Sequence, residues 1–358
     1  MMIEGFFFTF FNFMLRVRFF MNIYRRNLIY IKESIGKAVQ IMSKTVEMPR
    51  VDDSRSLLRY KAPLTHEMMM EYIRIFESRY SCVRVSELGR SVLDRPIPMI
   101  SLGKGKKSVL YVGAHHGMEW ITTAILLKFV NEYCELYCSN GKIGHTSISY
   151  LNSVRTLCIV PMLNPDGVDY AIKGLSNDNP IRERVITMNG GSDDLSCWQA
   201  NARGVDLNHN YDAGFYEYLA TDDGKQNAGG SPSKCAGESP ESEPESAALA
   251  NFVRANTNLS LCLSLHSQGE EIYSGDRFGV PKESRRIGDL LSMLSGYRQK
   301  RTNGSAAYGG FTDWVVSELG IPSFTLECGK GTNPLPIESL FETYYKLRRL
   351  LFEAPMVI

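Results

Sequence analysis

The stretch Ser108–Glu132 reads SVLYVGAHHGMEWITTAILLKFVNE. Its first five residues, SVLYV, form a continuous apolar run bounded by turn residues, the pattern of a buried strand. Gly113-Ala114-His115-His116 ends that run, and Ile121–Tyr133 then repeats apolar residues at helical spacing. Between strand and helix stand His116 and, three residues on, Glu119. The carboxyl ends of strands are where open α/β sheets leave a crevice. A tight turn there lets an imidazole and a carboxylate converge on one cation. Zinc accepts mixed nitrogen and oxygen ligation, and catalytic zinc sites keep three protein ligands beside an open position. His-x-x-Glu alone is common by chance, so the rest of the chain must supply the remaining groups.

Two further apolar runs end on titratable residues. Leu259–Leu265 (LSLCLSL) runs into His266, and Ile321–Leu326 (IPSFTL) runs into Glu327. A buried strand terminating in a titratable residue is uncommon unless that residue has a task. A third run, Thr156–Val160 (TLCIV), reads as another buried strand. Thr65–Ser78 predicts a helix with Thr65 as N-cap and Met69, Tyr72, Ile73 and Phe76 on one face. Glu245–Val253 and Gly310–Leu319 predict two more helices. Pro98–Leu102 and Ser108–Val112, joined by Gly-Lys-Gly-Lys-Lys at 103–107, read as a hairpin. That loop lacks the spacing of a phosphate-binding loop. Asn164-Pro165-Asp166-Gly167 reads as a turn, and 212–246 as a long surface loop. Strands alternating with helices give the α/β class, and the hairpin makes the sheet mixed.

Composition sets the outer limits. The chain has 358 residues, 44% hydrophobic and 22% charged, with 40 Lys+Arg against 39 Asp+Glu. A net charge of +1 offers no basic field to draw nucleic acid, and no acidic excess points to disorder. Eight cysteines are scattered with no CxxC pair. They read as reduced thiols of a cytosolic protein, the even count leaving pairing open. At the N-terminus, Gly5–Leu15 (GFFFTFFNFML) precedes the basic RVRFF and YRR. That apolar run is too short to span a bilayer. Its charges follow it, whereas a secretory signal carries them in front. Residues 1–45 are therefore set apart from a domain at 46–358. Three readings stay open for them: an extension, a start upstream of the true one at Met21 or Met42, or an aromatic, basic segment in weak contact with a membrane surface.

Seven collinear pieces resemble the zinc carboxypeptidase family over roughly residues 55–352: GAHHGMEWITTA (113–124), NPDGVDYA (164–171), GVDLNHNYDAGF (204–215), SPESEPESAAL (239–249), SLHSQGEEIY (264–273), YGGFTDW (308–314) and FTLECG (324–329). The resemblance implies a single catalytic domain with a mixed twisted sheet and helices on both faces. It implies a metallopeptidase with one zinc per chain, held by His116, Glu119 and His266. Glu327, thirteen residues after Trp314, matches the catalytic carboxylate. Asn208 matches the asparagine that binds the substrate's terminal carboxylate, and His115 becomes a supporting residue of the turn. The family places an oxyanion-stabilising arginine upstream of GVDLN. Arg203 is the candidate, although Gln199 stands where digestive members carry theirs.

Three departures bear on the substrate. His209 follows Asn208 where digestive members carry an arginine that clamps a C-terminal carboxylate. His116-Gly117-Met118-Glu119 replaces their His-Ala-Arg-Glu. Ser305 stands at the usual specificity tyrosine, with Tyr308 beside the glycines and Thr312 at the pocket base. These features resemble the bacterial branch that cleaves γ-D-glutamyl–meso-diaminopimelate bonds of cell-wall peptides, with His209, Tyr308 and Thr312 contacting substrate. A carboxypeptidase of another C-terminal specificity and a catalytically inactive zinc- or peptide-binding protein are the alternatives. With no wall-binding repeat visible, the expected location is cytoplasmic, with a membrane-associated or exported protein as the alternatives left open.

Overall fold

The computed structural model describes residues 62–275, 279–302 and 304–358. The expectations for residues 1–45 lie outside the described residues. Among the described residues, no helix is long and apolar enough to cross a membrane.

Helix α1 (His66–Arg79) begins where the sequence predicts, with the Thr65 hydroxyl accepting from Met68 N and with Met69, Ile73 and Phe76 buried. The other long helices are α2 (Ile121–Cys138), α3 (Pro165–Lys173), α4 (Pro244–Ala255), α5 (Lys282–Ser295), α6 (Phe311–Leu319) and α7 (Leu340–Glu353). Eight strands form the main sheet: β1 (Val83–Arg90), β2 (Pro96–Gly103), β3 (Lys107–Gly113), β4 (Arg155–Val160), β5 (Leu259–His266), β6 (Glu271–Tyr273), β7 (Arg298–Lys300) and β8 (Ser323–Glu327). Their order is β1-β2-β4-β3-β5-β8-β6-β7. Neighbours run parallel from β4 through β3 and β5 to β8, while β1/β2, β2/β4 and β8/β6 are antiparallel.

The sheet is mixed, but not for the reason read from the sequence. β2 and β3 do not form a hairpin, because β4 lies between them. Their linker instead runs along the start of β4, with Lys104 N donating to Asn152 O and Gly105 N to Arg155 O. The antiparallel partner of β2 is β1, which the sequence reading missed. β1 (VRVSELGR) is a sheet edge whose residues are largely half-buried or exposed, so it carries little apolar signal. A glycine-rich linker sets where the chain turns, not which strand it then pairs with.

Alternation along the strands divides the core between two faces. Val109, Tyr111, Leu261, Leu263 and Leu265 pack with α1, α2, α5 and α7 on one face. Leu110, Val112, Cys158, Val160 and Cys262 pack with α4 and α6 on the other. Helix α2 is buried without a break from Ile121 to Cys134, so it gives the sheet a fixed backing just behind Glu119. Two loop expectations also change. Asn164 is the cap of α3, accepting from Gly167 N with Pro165 in the first turn. The 212–246 stretch holds two short helices, Phe215–Leu219 and Asp222–Gln226. Gly310 caps α6 rather than joining it.

Candidate active site

The site lies where β3, β5 and β8 end side by side. Parallel pairing places Gly113 opposite Leu265, and His266 opposite Glu327, so residues far apart in sequence leave the sheet at one level. After β3 the chain turns at Ala114, which adopts φ +50°. That turn is pinned on both sides: Ala114 N donates to the Thr122 hydroxyl at 2.8 Å, and Ala114 O accepts from Asn164 N at 3.0 Å. His115 points into the core and shares hydrogen bonds with the hydroxyls of Tyr211 and Ser264, each at 3.2 Å. Burial holds its pKa well below the ordinary histidine value. Both its ring nitrogens are spent, so it braces the turn from below.

His116 precedes a single 3-10 turn, Gly117–Glu119, and Glu119 is its last residue. Gly117 N donates to Gln199 O and Met118 N to Trp198 O. A Cβ at Gly117 would lie 2.3 Å from Gly167 O and 2.8 Å from Trp198 O. Both obstacles are backbone, so nothing can give way. That close approach accounts for glycine where digestive family members carry alanine.

The three donor groups face one another. His116 Nδ1 is 2.9 Å from Glu119 Oε1, His266 Nδ1 is 3.0 Å from Glu119 Oε2, and the two Nδ1 atoms are 3.3 Å apart. Two nitrogens bound about 2.0–2.1 Å from one ion at a tetrahedral angle would stand roughly 3.3–3.4 Å apart. The spacing and the donor chemistry both fit zinc. Among the described residues this is the one group of three or more His, Cys, Asp and Glu side chains that could hold a metal ion.

A fourth residue, which the sequence reading quoted but gave no role, completes the arrangement. His116 Nε2 lies 3.1 Å from Asp206 Oδ1. Asp206 is itself fixed, accepting from Asn208 N on Oδ1 and from Lys234 N on Oδ2, each at 3.0 Å. Burial disfavours charge at His116, but Glu119 and Asp206 outweigh it and hold its pKa well above the usual value. Burial opposes charge at Glu119 too, yet His116 and His266 bring it down to about 2. Asp206 is likewise held below the usual range against its burial, first by His116. A metal must displace the proton between these groups, so its affinity falls toward acid pH. Carboxylate partners of metal-binding histidines orient the ring and raise its basicity. Asp206→Asn removes that charge and turns an amide N–H toward Lys234 N. Zinc affinity is expected to fall about 10–100-fold, measured by competition with a chromogenic chelator. Unchanged affinity would remove Asp206 from the site.

Glu327 borders a cavity of about 340 Å³ together with Asn208, Thr312, Thr325, Asp313 and Arg301. Burial, and then Glu119, push its pKa up to about 8. A cation among the ligands would draw that value down again by stabilising the carboxylate. Asn208 is fixed by accepting from Phe311 N at 3.0 Å, and the Thr312 and Thr325 hydroxyls pair at 2.8 Å.

Three expected substrate contacts are not brought to this cavity. Arg203 pairs with Glu243 at 3.4 Å and lines a separate cavity with Gly229, Gly230 and Cys235. His209 gives its Nδ1 to Tyr308 O at 2.8 Å and stacks on Tyr218 with ring centroids 4.4 Å apart. Tyr308 borders a neighbouring depression with Thr221, Asp223 and Ser305. Arg301, which does line the cavity, carried no motif to mark it, and Thr325 stood in the FTLECG piece without a role.

Comparison with known proteins agrees with this geometry. A family model described as zinc carboxypeptidase matches residues 69–347. The chain is 37% identical to gamma-D-glutamyl-L-diamino acid endopeptidase 1 of Lysinibacillus sphaericus, over 78% of this chain and 69% of that protein. It is 35% identical to an uncharacterised protein of Bacillus subtilis, over 76% of this chain and 72% of the other. Among solved structures, bovine thrombin-activatable fibrinolysis inhibitor, in complex with a tick carboxypeptidase inhibitor, superposes with a TM-score of 0.64. That likeness, at 22% identity, covers 83% of this chain and 97% of the other, and it is one of fold.

Proposed function

This chain belongs to the zinc carboxypeptidase family, and from that premise we propose that it hydrolyses γ-D-glutamyl bonds to a diamino acid in cell-wall peptides. It is a zinc-dependent peptidase. The narrower substrate rests on one observation above all: the 37% identity with a gamma-D-glutamyl-L-diamino acid endopeptidase, extending over most of both chains. His209 adds to it. An arginine at that position grips a free C-terminal carboxylate with a two-pronged fork, which an imidazole cannot reproduce. Here the ring is stacked and its Nδ1 engaged in the wall. A substrate defined only by its terminal carboxylate would find a weaker grip.

We assign His116, Glu119 and His266 to hold the metal. When bound, zinc supplies a Lewis acid that polarises a carbonyl and makes water more acidic. The chain's own residues do the rest. Asp206 anchors His116 through Nε2, which leaves Nδ1 aimed at the other two donors. Glu327 takes a proton from the attacking water and delivers it to the leaving nitrogen. Burial and then Glu119 raise its basicity above an ordinary carboxylate, and a cation held by the three ligands would offset that rise. Asn208, held by Phe311 N, and the paired hydroxyls of Thr312 and Thr325 offer polar contacts to the leaving residue. We place the reaction in the cytoplasm. The eight scattered cysteines, with no CxxC pair, support a reducing compartment.

The deciding experiment is a substrate panel read by mass spectrometry. A γ-D-glutamyl–diaminopimelate peptide is expected to be cleaved at least about tenfold more efficiently than hippuryl-type C-terminal substrates, a difference of about 1.4 kcal/mol in transition-state binding. The opposite ranking would point to a carboxypeptidase of another specificity. Pure protein with neither zinc nor hydrolysis would favour a binding protein.

A further inference from the structure

Two thiols remote from the site touch each other. Cys82 lies in the turn between α1 and β1, Cys134 lies on α2, and their sulfurs are 3.7 Å apart and share a hydrogen bond. Cys134 is fully buried and Cys82 is 7% exposed. A disulfide needs its sulfurs about 2.05 Å apart, so closing this pair takes an approach of roughly 1.7 Å. The hydrogen bond with Cys134 holds the Cys82 thiol below its usual pKa, and the same bond, together with burial, holds Cys134 above it. The more acidic member is thus also the one with an opening to solvent.

We propose that Cys82 and Cys134 close an internal disulfide when the chain meets a small-molecule disulfide such as oxidised glutathione. The Cys82 thiolate attacks one sulfur of the reagent, forming a mixed disulfide and releasing one thiolate. Cys134 then attacks the Cys82 sulfur and displaces the second. The two protein thiols lose two electrons and two protons, and the reagent becomes two thiols. Cys138 is exposed but is not an alternative partner for Cys134. One turn along the same helix, its Cβ stands about 5–6 Å away, beyond the roughly 3.5–4.5 Å that a disulfide spans. Cys138, and Cys197 on an exposed loop, stop at the mixed adduct.

The link would staple the α1–β1 corner to the far half of α2. Glu119 precedes that helix, and Cys134 lies about 20 Å along it. The staple therefore restricts the unfolded chain without reaching the metal ligands. The test incubates the full, zinc-loaded chain with oxidised glutathione, blocks the remaining thiols and maps peptides without reduction. A Cys82–Cys134 peptide pair is expected at more than half occupancy, with Tm raised by about 3 °C or more and zinc content unchanged. Cys82→Ala should abolish the pair and the rise in Tm while keeping adducts on Cys138 and Cys197. Adducts on those two exposed cysteines with no Cys82–Cys134 pair would overturn the proposal, and so would a linked protein no more stable than the reduced one. The wild-type digest decides the first question by itself, whatever the variant does.

Discussion

Glu327→Gln is expected to lower turnover by about 10²–10⁴-fold while zinc stays at one per chain. The amide has the size and shape of the carboxylate but cannot accept a proton. It keeps the place of Glu327 at the end of β8, where the backbone, not the side chain, makes the ladder with His266 and Glu271. The repulsion from Glu119, which adds to burial in lifting the Glu327 pKa, also disappears. The variant should therefore fold at least as well as the parent. Both kcat and kcat/KM should fall together, because the lost interaction belongs to the transition state. Turnover within a few-fold of the parent, with zinc present, would take the general-base role away from Glu327.

His266→Ala should abolish stoichiometric zinc and, with it, hydrolysis. His266 Nδ1 faces both His116 and Glu119. Removing it leaves one imidazole and one carboxylate, a set too small for a zinc site with three protein ligands. The loss in affinity should exceed the roughly 10–100-fold expected when only an outer partner is changed. The ring also shields a buried carboxylate. Without it, Glu119 loses one of the two histidines that hold its pKa down, leaving a buried charge half-compensated. A lower Tm should accompany the loss of metal. Atomic absorption after dialysis reads the first effect and calorimetry the second. A full zinc complement in the dialysed variant would show that the metal sits elsewhere.

The two variants separate roles that the site brings together. One should keep the metal and lose the chemistry, while the other should lose both. Asp206→Asn should fall between them, with zinc weakened but still present at excess metal.

The Ser108–Glu132 stretch was legible because its strand from Ser108 and its helix from Ile121 are buried throughout and read as clean apolar runs. The strands leading to His266 and Glu327 were legible for the same reason, since a strand buried on both faces reads as one apolar run. β1 was not, because an edge strand keeps polar residues along its length. Nor was the true pairing of β2, because a loop of glycines and lysines is compatible with either a hairpin or a crossover. Gly117 stood in the sequence as an unexplained departure until the backbone of Gly167 was found against it.

By itself the sequence determined the chemical inventory: two histidines and two glutamates at the ends of buried strands, and the α/β alternation that carries them. Tertiary structure alone decided which of the other polar residues join that inventory. Asp206 entered the site because one nitrogen of His116 points at it, while Arg203, His209 and Tyr308 were drawn into other contacts. The physical reason is a difference in range. Burial imprints a local period on the chain, whereas a hydrogen bond between side chains ninety residues apart leaves no period to read.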